Sequence, residues 1–201
     1  MHCHSDRLQE LVLDAIQSAQ QAIPWADARH SIIHGEIPTQ RALRRMAELN
    51  VGLVAQPGFM YHGLASHAMG FANLDAEIMD RFQPIRAYLD HGVRVISSSD
   101  VPYAPDANPF VGLYALVTRK DKDGRVLGPD QAVSREEALR SYTAGAAWLT
   151  REEELKGTVE PGKLADFAVL DRDYFSAPEE EIKDIEVEVT VIGGRIVYVR
   201  E

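Results

Sequence analysis

The sequence has 201 residues, 45% of them apolar, and a formal net charge of −10 from 21 basic and 31 acidic residues. That suits one ordinary domain, or one domain with a small appendage, and the absence of any Lys/Arg cluster speaks against nucleic acid or an anionic membrane surface as partner. No apolar run approaches the ~18 residues of a membrane span, Met1 leads into polar residues rather than a secretory signal, and Cys3 is the single cysteine, so the expectation is a cytoplasmic chain without disulfides.

The stretch "SDRLQELVLDAIQSAQQAI" predicts a helix capped by Ser5 or Asp6, with Leu8, Val12, Ala15, Ile16 and Ala19 at helical spacing. "HSIIHGE" reads as a short buried strand that turns polar at its C-terminal end. "PTQRALRRMAELN" predicts a helix with Pro38 near its first turn, and "VGLVAQPG" the next strand. "DAEIMDRFQPIRAYLDHG" reads as helical, broken near Pro84 and ended by Gly92, and "VRVISSSD" as another strand with a polar end. "NPFVGLYALVTRK" and "SREEALRSYTAGAAWLT" predict helices, the second opened by a Ser134/Glu137 capping box. Strand and helix thus alternate over residues 1–150, as in a parallel α/β architecture. Residues 151–201 change character: two β-rich runs flank "APEEEIKD", and Gly193-Gly194 signals a tight hairpin.

Three metal-competent side chains fall at C-terminal strand ends: His2 before the first helix, His34 ending "SIIH", and Asp100 ending "VRVISSSD". In a parallel β/α barrel those ends face one site. Two imidazoles and a carboxylate suit a catalytic Zn²⁺, which lowers the pKa of bound water toward ~7, and Asp100 can both touch the metal and move the proton to the leaving group. The bland alternative for each residue is a capped or hydrogen-bonded structural role.

"HCHSDRLQELVLDAI", "SSSDVPYAPDANPFVGLYALVTR", "SREEALRSYTAGAA" and "KGTVEPGKLADFAVLDRD" together resemble the amidohydrolase superfamily, in its amidohydrolase family 3 branch. The resemblance implies a metal-bearing (β/α)₈ TIM-type barrel, a β-sandwich assembled from both ends of the chain, and hydrolysis of C–N bonds in amides and cyclic amides. It aligns "HCHSD" with the family's His-x-x-Gly-Asp step after strand five. His2 is then a metal ligand and Asp6 an aspartate orienting His2 or a loop backbone, while His4 falls on a variable position. His34 matches the strand-six ligand, with Ile33 where the family has Glu, and Asp100 matches the strand-eight aspartate. The family's first His-x-His and strand-four Lys or Glu have no counterpart. The expectation is therefore a C-terminal portion: last barrel strands and helices over 1–150, and the tail's share of the sandwich over 151–201. Such a portion alone would bind a divalent metal, Zn by this reading, very weakly and turn over little.

Gln56, ending "VGLVAQ", is a candidate to hydrogen-bond a small amide-type substrate. His62, His67, Arg86, His91 and His30 read more simply as surface or structural residues, and Cys3 as a buried bystander. Neither a Gly-x-Ser-x-Gly elbow nor a phosphate-binding glycine loop is present. Two rival readings remain: a non-catalytic or complementing subunit that pairs with a chain supplying the missing half, or forms a homo-oligomer, and a bare metal-binding module built on His2 and His4 together.

Overall fold

A computed structural model describes residues 1–63 and 81–201. The expected alternation is present. Strand β1 (His2–Cys3), helix α1 (Asp6–Ala22), β2 (Ser31–His34), α2 (Gln40–Glu48), β3 (Gly52–Ala55), α3 (Pro57–Tyr61), α4 (Ile85–Asp90) and β4 (Val95–Ser97) follow in order. The four strands form one parallel sheet in chain order, β1-β2-β3-β4. His2 lies opposite Ile33 and Cys3 opposite His34, so even the two-residue β1 is held in register with β2.

After β4 come α5 (Pro109–Thr118), α6 (Arg135–Tyr142) and α7 (Ala144–Thr150). The helix expected over 134–150 is two helices, because the chain leaves helical geometry at Thr143 (φ −117°, ψ −87°). That bend lets α6 and α7 both pack on β4. The capping box at Ser134 is formed in both directions. Pro38 lies outside α2, whose cap is Thr39, with its side chain accepting from Ala42 N. The start of the helix expected near Asp75 falls outside the described residues; Pro84 precedes α4 as its N-cap, and Gly92 follows at φ 80°.

Core packing differs from the expected stripe in one respect. The buried face of α1 is Gln9, Val12, Leu13 and Ile16, while Ala15 and Ala19 face solvent. A polar Gln9 on that face is explained by its partner: Tyr88 Oη donates to Gln9 Oε1 at 3.3 Å in the interior. Around it Leu13, Ile32, Leu43, Met46, Leu53, Ile85 and Leu113 close a continuous apolar layer between sheet and helices.

The last 35 residues carry a separate antiparallel sheet, β5 (Phe167–Leu170), β6 (Val187–Ile192) and β7 (Arg195–Val199), in that order. Gly193 and Gly194, both at positive φ (55° and 75°), make the expected hairpin, since a two-residue turn of this hand needs left-handed backbone twice. No helix of the described residues is long and apolar enough to cross a membrane.

Leu53→Ala, in the middle of β3, is expected to cost about 3 kcal/mol through lost burial and a residual cavity. Ser134→Ala is expected to cost about 1 kcal/mol through loss of one cap. Urea unfolding of the two variants checks the ranking; equal losses would contradict this account of the core.

Candidate metal centre

Three imidazoles meet where β1 and β2 end. His34 is the last residue of β2 and 2% exposed; its positive φ of 78° turns the chain sharply after the strand. Its Nε2 lies 3.0 Å from His2 Nδ1. The His4 ring stacks on the His34 ring with centroids 4.0 Å apart, and Phe59 covers His34 with centroids 5.9 Å apart. One nitrogen from each of His2, His4 and His34 falls within 4.8 Å of the others, an arrangement that could hold a metal ion. His4, read from sequence as variable, is thus part of the cluster.

Asp100 follows β4 with φ 59°, and its main-chain carbonyl accepts from Tyr103 N and Ala104 N. Its carboxylate is near enough to His4 and His34 to favour their protonated forms. That influence is outweighed. Burial, then the neighbouring His4, lowers the His34 pKa to about 4; burial, then His2, lowers that of His4. At neutral pH both rings are therefore neutral and keep a lone pair available for a cation.

A buried carboxyl stands behind His4. Glu36 is fully buried, its Oε2 lies 3.0 Å from His4 Nδ1, and desolvation pushes its pKa up to about 8. Gly35 makes this approach feasible: at φ 57° it lets the chain fold back after His34, and a Cβ there would stand 2.4 Å from Leu53 Cδ1 and 2.8 Å from Tyr88 Oη. For His4 to offer Nε2 to a cation, its Nδ1 must carry the proton and Glu36 must accept it, the usual arrangement behind a ligating histidine.

Gln56, at the end of β3, is 1% exposed; its Nε2 donates to Ser98 Oγ at 3.0 Å and Val54 O at 3.2 Å. The Gln56 amide also acts on His34, raising its pKa slightly against the other influences, yet neither Gln56 Oε1 nor His34 Nδ1 closes a hydrogen bond of normal geometry. Asp6 stands apart from the cluster: it is exposed on the first turn of α1, and its carboxylate accepts from Arg7 N. Of the secondary candidates, His62 pairs with Asp106 at 3.1 Å, Arg86 pairs with Asp90 and Glu137, and His91 Nδ1 lies 2.8 Å from Ala87 O. Cys3 is buried with a raised pKa, and His67 lies outside the described residues.

Sequence reasoning missed Glu36. The signal available was a carboxylate two residues past a strand-end histidine, which in "HSIIHGE" looks like a solvated loop.

Residues 1–198 match the sequence profile of the amidohydrolase family. The chain belongs to that family. Among curated amidohydrolase relatives, it is 33% identical over 191 residues to the N-substituted formamide deformylase of Arthrobacter pascens, covering 95% of this chain and 34% of that protein. It is 27% identical to the putative amidohydrolase YtcJ of Bacillus subtilis (strain 168), covering 98% of this chain and 37% of that one. A solved metal-dependent hydrolase of uncharacterised function from Pyrococcus horikoshii OT3 superposes with a TM-score of 0.73 at 26% identity, over 89% of this chain and 35% of that one. The chain spans about a third of the length of these relatives.

The buried groups give opposed pH effects when a chelator keeps metals away. His34 has a folded pKa below its unfolded value near 6.5, so its contribution is full above that pH and is lost as pH falls toward 4. Glu36 has a folded pKa above its unfolded value near 4.5, so its contribution is full below that pH and is lost as pH rises through 8. Glu36→Gln is expected to remove the decline between about pH 5 and 8. Urea midpoints measured across pH check this; an unchanged alkaline slope in the variant would contradict it.

Proposed function

We propose that this chain supplies the cation-binding and proton-transfer portion of a hydrolase acting on amide C–N bonds, with Zn²⁺ as the ion. The observation that carries the reading is the meeting of three imidazoles, two of which, His4 and His34, have their pKa lowered by burial, with the Asp100 charge beside those two. Nitrogen donors with an added carboxylate suit Zn²⁺ better than Mg²⁺ or Ca²⁺, which prefer oxygen. In this reading the four strands are an arc of a (β/α)₈ barrel, which their parallel order in chain sequence supports, and β5–β7 are part of a composite β-sandwich.

His2, His4 and His34 would hold the ion with Asp100. A zinc ion there supplies the Lewis acidity that makes water a nucleophile near neutral pH and polarises the substrate carbonyl. The protein side does the remainder. Asp100 accepts the proton of the attacking water and delivers it to the leaving nitrogen, so that an amine departs rather than an amide anion. Glu36 holds His4 in one tautomer and orientation. Gln56 is the candidate for orienting the substrate's amide. Phe59 and Tyr103, whose rings lie 5.4 Å apart, give the site an apolar wall that limits water. The name of the Arthrobacter relative makes N-substituted formamides the first substrates to try.

A second reading has its own observation. All of β7 is exposed, with Ile196, Val197 and Val199 more than half accessible, and an open apolar groove lined by Phe110, Leu139, Tyr142, Phe167 and Val187 runs beside the small sheet. A chain that works beside further polypeptide covering those faces would leave such surface when alone.

Zinc titration of the purified chain tests the main reading. With His4 as a third imidazole, one ion per chain is expected in place of the very weak binding expected of His2 and His34 alone, its affinity falling about tenfold or more in His34→Ala and in His4→Ala. With formamide turnover as readout in the complete protein, Asp100→Asn is expected to lower kcat/KM by about a thousandfold. Zinc binding indifferent to both histidine variants would end the proposal.

A further inference from the structure

Arg119 is among the largest fully buried side chains of the described residues, at 1% exposure. It caps the C-terminus of α5 in the left-handed conformation, with φ 58°. Its guanidinium donates to three main-chain carbonyls: Nε to Leu127 O at 2.8 Å, Nη1 to Gln83 O at 2.9 Å and Nη2 to Phe82 O at 2.7 Å. Burial is strong enough to bring its pKa down to about 10, against a smaller opposing influence from Asp130, so it is still charged at neutral pH. Burying a cation among neutral carbonyls is costly, and such a group persists where its fixed fork of donors holds the main chain in a required shape.

The shape it holds is unusual. Gln83 sits at φ 46°, a conformation that side-chain-bearing residues rarely adopt. From there Gln83 reaches both supports of the histidine cluster. Its N–H donates to Glu36 O at 2.9 Å, and its Nε2 donates to Gln56 O at 3.0 Å. Glu36 in turn contacts His4, and the Gln56 amide acts on His34. Among the described residues, Glu36 Oε1, Gln56 Oε1 and Gln83 Oε1 are buried with no protein hydrogen-bond partner.

We propose that Arg119 is a positioning residue for the metal centre: its fork fixes Gln83 in the left-handed conformation, and Gln83 sets Glu36 and Gln56 against the histidines. A lysine could not substitute, because one ammonium cannot span two successive carbonyls in a fixed plane. The consequence for zinc rests on the reading given under Proposed function; the consequence for the histidine rings does not.

The test compares the wild-type chain with Arg119→Lys and Gln83→Ala in two measurements: imidazole carbon–proton NMR spectra under chelator, and zinc affinity by chelator competition. In Arg119→Lys the His4 and His34 resonances are expected to move, and in Gln83→Ala that of His34, while His30, at the opposite end of β2, is unmoved and the helical circular dichroism is retained. Zinc affinity is expected to fall by about tenfold or more. Unmoved His4 and His34 resonances in a folded variant would overturn the proposal, as would unchanged zinc affinity in a wild type that binds zinc. If the wild type binds no zinc while the resonances move, the zinc reading fails and the positioning role stands. If Arg119→Lys does not fold, Gln83→Ala decides, since it leaves the guanidinium and its carbonyl partners intact and removes only the link to Gln56.

Discussion

The parallel register of β1 on β2 is the constraint from which the rim of this fold follows. With Cys3 opposite His34, the residues on either side of Cys3 are carried to the place where β2 ends. Strand side chains alternate, so His2 and His4 fall on one side and Cys3 on the other, into the core. His34, ending β2, and Asp100, three residues past the end of β4 rather than on it, then take left-handed backbone, at φ 78° and 59°. Such conformations cost on the order of 1 kcal/mol or more each and survive only where the surroundings impose them. A one-residue slip between β1 and β2 would send His2 and His4 to the other face.

Desolvation then sets the chemistry of the cluster. Rings stacked 4.0 Å apart under Phe59 cannot all be charged, and the combined influence of burial and of one another lowers His4 and His34 despite Asp100. The same burial raises Glu36. The effect is a cluster poor in positive charge, rich in nitrogen lone pairs and backed by a hydrogen-bond acceptor, which is what a divalent cation with a taste for imidazole requires. A buried layer of Gln9, Tyr88, Gln83 and Arg119 lies behind it and ties the loops after β2 and β3 to the segment before α4.

How much of this was legible in the sequence depends on whether the signal is local. Apolar runs ending in polar residues marked β2, β3 and β4; Ser134 with Glu137, and Gly193-Gly194, marked a cap and a turn whose energetics are local. The strand-end pattern picked out His2 and His34, whose ring nitrogens lie 3.0 Å apart, and Asp100, whose charge acts on His4 and His34 from outside the three-histidine cluster. His4 was read as variable from the family spacing, although a two-residue separation on a strand puts it on the same side as His2. Glu36 offered only its place two residues past a strand-end histidine, because its burial depends on Gly35 folding the chain back under Tyr88, a contact across 53 residues. The face of α1 was shifted for a related reason: Gln9 is buried by a partner in α4, and periodicity counts a glutamine as solvent-facing. Long-range polar pairing is what a single sequence hides.

The most direct measurement is zinc K-edge X-ray absorption on the chain loaded with one equivalent of the ion. The account predicts a shell of nitrogen and oxygen at about 2.0 Å that includes at least two imidazoles, with one imidazole fewer in His34→Ala. A shell without imidazole scattering, or one that His34→Ala leaves unchanged, would contradict it.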